Sequence, residues 1–364
     1  MKPNGEFKKV GRLAPELERD VRQLCLPHGR VVGTTGHRVA REHLGNRLRE
    51  VGCEPYAGDD FALSCFTEGQ DFINLVGVVP GRDRNLAPLL VAGHYDSVIE
   101  APCADDNGAA VAICLALAEA LVGIGGLERD VIIALFDSEE PPYFSTQAMG
   151  SHLFYHRQMD ARGIHAAIVY DLVGHDIRMP TSMIPGVGGL LGKIPVVRDS
   201  DMRVPRFHGT LFMTGVESHP DLARVVGDLP LPRNLHLMAT LNENVGDLSD
   251  HGVFRKNGVP FLFFSCGRWA HYHMPSDVPG RLNYKKMARI AAYTFALLKK
   301  LDGEALSGRH STFQPCDTTD FEAQTIKDTA GPFYSMMLNW AGLEELKTRE
   351  ELDTLVYNLM STGL

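Results

Sequence analysis

The feature that most constrains this chain is a repeated pairing of a short, unbroken apolar run with ionisable side chains directly after it. Residues 89–92 (Leu-Leu-Val-Ala) lead through Gly93 to His94-Tyr95-Asp96, Val131–Phe136 leads to Asp137-Ser138-Glu139-Glu140, and Ala166–Tyr170 leads to Asp171. Residues 259–264 lead, after a short loop, to His271-Tyr272-His273. Runs this short, with no polar alternation, suit strands covered on both faces. Helical spacing falls between them, at 108–122, 150–159, 220–226 and 250–256, and residues 72–79 add one more strand. Alternation of this kind predicts an α/β fold: a mixed, largely parallel central sheet flanked by helices on both faces, a three-layer sandwich.

The flanks read as helices. Leu17, Val21 and Leu24, then Val39, His43, Leu44, Leu48 and Val51, recur at helical spacing with Gly29 and Gly33 between the two stretches. Met287, Ile290, Ala291, Thr294, Leu298 and Leu301 form the apolar stripe of another helix. After Gly303 the chain turns polar through Gln314 and Pro315, then helical from Asp320. The expected organisation is an α/β domain over 1–302 with a C-terminal helical extension over 303–364. Phe333, Met336, Met337 and Trp340 of that extension need a surface to pack on, either their own domain or a second subunit in a homo-oligomer. Residues 178–206, rich in Gly, Pro and Met, read as a long loop near the sheet edge.

Composition narrows the partners. A net charge of -9 and a pI near 5.9 leave no dense Lys/Arg footprint for phosphate, so nucleic acid is excluded. No run reaches the roughly 18 apolar residues of a membrane span, and no membrane association is expected. Glu16, Glu18, Arg19 and Asp20 follow the basic start where a signal peptide needs an apolar stretch, so the chain as given reads as cytoplasmic. Seven scattered cysteines without a C-x-x-C pair read as reduced, mostly buried thiols.

Ligands in an open parallel sheet bind beyond the carboxyl ends of the strands, which is where His94, the Glu139-Glu140 pair, Asp171 and His273 fall. Ala104-Asp105-Asp106-Asn107-Gly108, at the start of the apolar helix after the 89–92 strand, brings further carboxylates. Carboxylates gathered in one cleft repel one another unless a cation sits between them, and a mixed His/carboxylate set suits zinc. Taken singly, each of these residues is more simply a hydrogen-bonded structural group or a helix cap. Their joint placement at consecutive strand ends points to a metal.

Six ordered segments carry a family likeness: Gly-His-Tyr-Asp-Ser (93–97), Ala-Asp-Asp-Asn-Gly (104–108), Phe-Asp-Ser-Glu-Glu (136–140), Tyr-Asp-Leu-Val-Gly (170–174), Ser-Asp-His-Gly-Val-Phe (249–254) and Tyr-His-Met-Pro-Ser-Asp (272–277). In order and spacing the chain resembles the co-catalytic zinc aminopeptidases, the family of bacterial leucyl aminopeptidases and glutaminyl cyclases, over roughly residues 70–300. The resemblance implies that His94, Asp106 and Asp171 hold one zinc and Glu140 and His273 the second, with Asp106 bridging. Asp106 is preferred to Asp105 because the family's bridging carboxylate directly precedes a segment like Asn107-Gly108-Ala109-Ala110. It further implies Glu139 as general base, Asp96 as the acid that orients His94, and Tyr272 as a stabiliser of the oxyanion. The implied activity is removal of the N-terminal residue from a peptide or amino-acid amide, with two Zn2+ per chain.

The segment after the glutamates departs from the family pattern. Pro141-Pro142-Tyr143-Phe144-Ser145-Thr146-Gln147-Ala148-Met149 replaces a short glycine-rich stretch, and an aromatic insertion here is similar to glutaminyl cyclases, which use one zinc and form N-terminal pyroglutamate. Cyclases tend to place Trp before the last His, whereas this chain has Tyr272. A non-enzymatic, receptor-like relative of the same fold is the third reading, disfavoured by the intact ligand types and Glu139. Tyr143, Phe144 and His251 are the candidate substrate-binding residues, and Met179, Met183, Ile184, Phe144 and Trp269 suggest an apolar pocket.

Overall fold

Strand pairing explains why the apolar runs lack alternation. The computed structural model of the chain describes residues 7–67, 69–177, 205–306 and 315–361. Its strands are β1 (Glu54–Pro55), β2 (Ala62–Thr67), β3 (Gln70–Val79), β4 (Leu89–His94), β5 (Val131–Phe136), β6 (Ala166–Tyr170), β7 (Thr210–Thr214), β8 (His236–Ala239) and β9 (Phe261–Ser265). They form one sheet in the order β1-β3-β5-β4-β6-β9-β7-β8, with β2 also on β3. The central strands β5, β4, β6 and β9 run parallel, while β3 pairs antiparallel with β5 and β7 antiparallel with β9. Every residue of β4, β5 and β6 is buried. Leu89, Val91 and Ile133 enter the core on one face, and Leu90, Ala92 and Ile132 enter the core on the other. The fold is therefore the helix-flanked, mostly parallel sheet expected from the sequence. Strands β1, β2, β7 and β8 were not among the expected ones.

Helices Val10–Leu24, Thr35–Val51, Ala109–Gly123 and Tyr284–Asp302 cover one face. Segment Ala104–Gly123 corrects one expectation, being long and apolar enough by length and composition to cross a membrane. It is the core helix, 78% buried, lying against β4 and under the helices Val10–Leu24 and Tyr284–Asp302. Gly93 permits that approach, since a Cβ there would stand 2.9 Å from the Ala110 methyl. All seven cysteines are free thiols.

The C-terminal helices Thr319–Ala330, Tyr334–Ala341 and Arg349–Ser361 pack on their own sheet. The outer edge of β8 is covered by side chains of the first of them: Ala239 N donates to Thr325 Oγ1 (3.0 Å) and Thr329 Oγ1 donates to Leu237 O (2.8 Å). Satisfying an edge strand in this way closes it to further pairing. Of the expected loop at 178–206, residues 178–204, including Met179, Met183 and Ile184, lie outside the described residues, and a short helix, Pro205–His208, begins where the description resumes.

Candidate metal centre

The sheet order brings the strand ends together at β5-β4-β6-β9, and the donors follow. His94 ends β4, Glu139 and Glu140 follow β5, Asp171 follows β6, and His273 lies in the loop after β9. Asp106 comes from the turn Ala104–Gly108 that starts the core helix. Two donor sets meet at its carboxylate. Oδ1 stands 3.4 Å from His94 Nε2, itself 3.7 Å from Asp171 Oδ1. Oδ2 stands 3.2 Å from His273 Nε2, itself 3.2 Å from Glu140 Oε2. Glu139 Oε2 lies 3.7 Å from His94 Nε2, on the side of the first set.

These residues fit a metal. The edge of a tetrahedron of ligands about zinc is roughly 3.3–3.6 Å for bonds of about 2.0–2.2 Å, and the donor pairs, at 3.2–3.7 Å, lie around that range. His94, Asp106 and Glu140 present ligand atoms all within 4.8 Å of one another. Buried ligand atoms His94 Nε2, Asp106 Oδ2, Glu140 Oε1, Asp171 Oδ1 and His273 Nε2 have no well-aligned hydrogen-bond partner among the described residues. Buried polar atoms are normally satisfied, so a clustered set of exceptions marks a place where something else satisfies them.

Electrostatics agree. Burial lowers the basicity of His94, but the charge of Glu139 and the carboxylates of Asp106, Asp171 and Asp96 outweigh it and hold its pKa well above the ordinary value. His273 is likewise raised, to about 10, because Asp106 and Glu140 overcome burial. Glu140 is pushed up to about 8 by burial and by the charge of Asp106, and burial raises Glu139 well above the carboxylate range. The pocket holds more carboxylates than its two imidazoles can offset, and a divalent ion balances that excess.

A scaffold of hydrogen bonds fixes the donors. Asp96 accepts from the amides of Glu139 and Glu140 (both 3.1 Å), and the same carboxylate lies 3.3 Å from His94 Nδ1 without a well-aligned hydrogen bond, so it holds both glutamates and sits against the imidazole. Asp277 accepts from the amides of Asp105 and Asp106, anchoring the bridging turn. Asp105 bonds His175 Nδ1 (2.5 Å) and accepts from the Gly174 amide (2.6 Å). Arg30, fully buried, donates to the carbonyls of Tyr95, Pro102, Cys103 and Asp106. Sequence reasoning assigned no role to Asp277, although it closes a quoted motif. For Arg30 no sequence signal existed.

The candidate substrate-binding residues are more scattered. Tyr272 stacks on His273 with ring centroids 3.8 Å apart and borders a cleft beside Asp171. Tyr143 donates to Gln70 Oε1 (3.0 Å) and meets Phe72 edge-on, and Phe144 sits partly buried in the turn after Glu140. His251 is fully buried, its ring stacked on Phe263 (4.0 Å) with Nε2 3.2 Å from Gly246 O. Trp269 stacks on His175 with ring centroids 4.7 Å apart.

A mostly parallel sheet whose strand ends present two His/carboxylate sets around one shared aspartate defines a metal-dependent peptidase architecture. The sequence profile of peptidase family M28 matches residues 74–187 and 189–298, and the chain belongs to that family. Among curated proteins it is 27% identical over 234 residues to Uncharacterized protein YfbL of Escherichia coli K12, covering 58% of this chain and 66% of that protein. It is 35% identical over 82 residues to the Vacuolar membrane protease of Clavispora lusitaniae, or 22% of this chain and 8% of that one. The chain thus spans less than two thirds of either relative's length. Its fold is similar to the LapA aminopeptidase of Legionella pneumophila (TM-score 0.59, 15% identity, 81% of this chain, 74% of that chain). It is similar also to a leucine aminopeptidase precursor (0.58, 14%, 81%, 97%) and a glutaminyl cyclase (0.56, 14%, 81%, 98%), both from Bacteroides thetaiotaomicron.

Proposed function

We propose that the protein is a zinc aminopeptidase that hydrolyses the N-terminal residue of peptides or amino-acid amides. The observation that carries this reading is the double facing of Asp106, with Oδ1 toward His94 and Asp171 and Oδ2 toward His273 and Glu140. A one-ion cyclase centre needs only the second set. Zinc held by these residues supplies Lewis acidity for the scissile carbonyl and lowers the pKa of the attacking water.

The chain's own groups supply the rest. Glu139 is buried, and its backbone amide is pinned by Asp96; its carboxylate takes the water proton and returns it to the departing amine. Tyr272, beside His273, directs its hydroxyl toward charge developing on the carbonyl oxygen. Asp96 holds His94 in the tautomer that leaves Nε2 free for metal.

The test is turnover of aminoacyl 4-nitroanilides by the zinc-loaded chain, with metal content measured in parallel. Glu139→Gln is expected to lower kcat by about 10²–10⁴-fold with zinc content unchanged, the loss of a general base. Glu140→Gln is expected to lower zinc content first. Formation of pyroglutamate from glutaminyl amides with no release of 4-nitroaniline, or a Glu139→Gln enzyme within threefold of the parent, overturns the reading.

A further inference from the structure

Beside Asp171 and Tyr272 the sheet face carries a cleft of about 320 Å³. Its floor comes from two cross-strand pairs, Phe212 opposite Ser265 and Thr214 opposite Phe263, which the two-residue period of strands turns to one face. Because the strand order here is β6-β9-β7-β8, the cleft extends from the metal centre toward the edge that the C-terminal helices cover. At that far end the lining residues are Leu359 and Met360 of the helix Arg349–Ser361, which touches the turn Asn242–Val245. Both lie well past residue 298, where the family match ends.

The helix is held there by its own apolar side. Leu352, Leu355 and Leu359 recur at helical spacing and pack with Phe207, Met238 and Ile326 in a cluster that also reaches Phe212 of the cleft floor. Leu359 is 9% exposed and Met360 38% exposed, so the first residue anchors the turn and the second leaves part of its side chain free beside the cleft. Aromatic and aliphatic walls favour an apolar occupant, and a flexible thioether adapts to its shape.

We propose that Leu359 and Met360 form the distal wall of the substrate side-chain pocket, so that the C-terminal helix sets the size of the apolar N-terminal residue the enzyme accepts. This rests on the aminopeptidase reading for the identity of the occupant. The cleft and its wall stand on geometry alone.

The experiment compares the full-length, zinc-loaded parent with Met360→Ala and Met360→Trp, using alanyl, leucyl and phenylalanyl 4-nitroanilides, and measures calorimetric affinity for free L-leucine and L-phenylalanine. Met360→Ala is expected to raise the phenylalanyl-to-leucyl kcat/KM ratio about tenfold, and Met360→Trp to lower the leucyl-to-alanyl ratio about tenfold, the discrimination a pocket gains or loses with a few methylene-sized groups. Melting midpoints are measured alongside, because the partial exposure of Met360 lets the pocket change without emptying the core. Ratios within twofold of the parent in both variants overturn the proposal. If the parent hydrolyses none of the three substrates, the aminopeptidase reading fails. The amino-acid affinities then decide the pocket: a shifted phenylalanine-to-leucine affinity ratio in the variants supports it, and equal ratios or no binding by the parent overturn it.

Discussion

Neighbouring residues of one chemical type do different work here because the backbone aims them differently. Asp105 and Asp106 are adjacent, yet the first is spent on His175 and Gly174 while the second faces both imidazoles of the centre. His251 shows the same dependence on surroundings. Its ring sits among Phe261, Phe263 and the Gly246 carbonyl, and burial pushes its pKa down from 6.5 to about 4, against a smaller upward pull from Asp247. The unfolded chain takes up this proton below pH 6.5, whereas the folded chain waits until about pH 4. Between those values the unfolded state binds more protons, so stability is complete above pH 6.5 and declines as pH falls toward 4. His251→Phe is expected to reduce the slope of unfolding free energy against pH in that window by up to ~1.4 kcal/mol per pH unit, one proton's worth. Urea titrations from pH 4.5 to 7.5 read this directly. Parallel parent and variant curves would show that the imidazole is already protonated in the native core.

A single turn, Ala104–Gly108, decides whether the donor sets share a carboxylate, and its shape is imposed from outside. Asp277 holds its amides while Arg30 holds the carbonyls of Pro102, Cys103 and Asp106 and, across the site, that of Tyr95. Lysine keeps the charge but cannot present a planar fork to several acceptors at once. Arg30→Lys is therefore expected to lower the melting midpoint and weaken zinc binding about 10–100-fold, the usual effect of removing an outer support of metal ligands. Competition with a chromophoric chelator measures it, and parent-like affinity would mean the turn keeps its shape unaided. No pattern around Arg30 announces this role, since its partners are main-chain carbonyls brought close by folding. By contrast, the strand-end motifs were legible because chemistry and periodicity coincide in them: a fully buried run followed directly by His94 or Asp171 puts an ionisable group where only a ligand or a buried partner can satisfy it. The strands that escaped reading were the ones with weak signals. No residue of β2 (Ala62–Thr67) is fully buried, four being partly buried and two exposed, so its alternation is shallow, and β7 and β8 span five and four residues. The cleft was illegible for the same reason as Arg30, because Phe212, Phe263 and Met360 meet only through the sheet order and the return of the C-terminal helix.

The change of texture at residue 303 suggests two units, yet the helices beyond it share their apolar cluster with Phe207, Met238 and Phe212 and hydrogen-bond to β8. A unit that completes its core with another's residues is expected to unfold together with it. The chain's two tryptophans report separately on the two regions: Trp269 stacks on His175 near the metal centre, and Trp340 packs in the C-terminal cluster. In Trp269→Phe and Trp340→Phe variants, urea unfolding followed by fluorescence is expected to give coincident midpoints. On the proposed reading zinc binds the native state alone, so adding it is expected to raise both midpoints equally, although every proposed ligand precedes residue 303. An earlier transition at Trp340, insensitive to zinc, would make the helices an independent appendage. The wall formed by Leu359 and Met360 would then open before the metal centre does, and side-chain selectivity would be lost at urea concentrations that leave turnover intact.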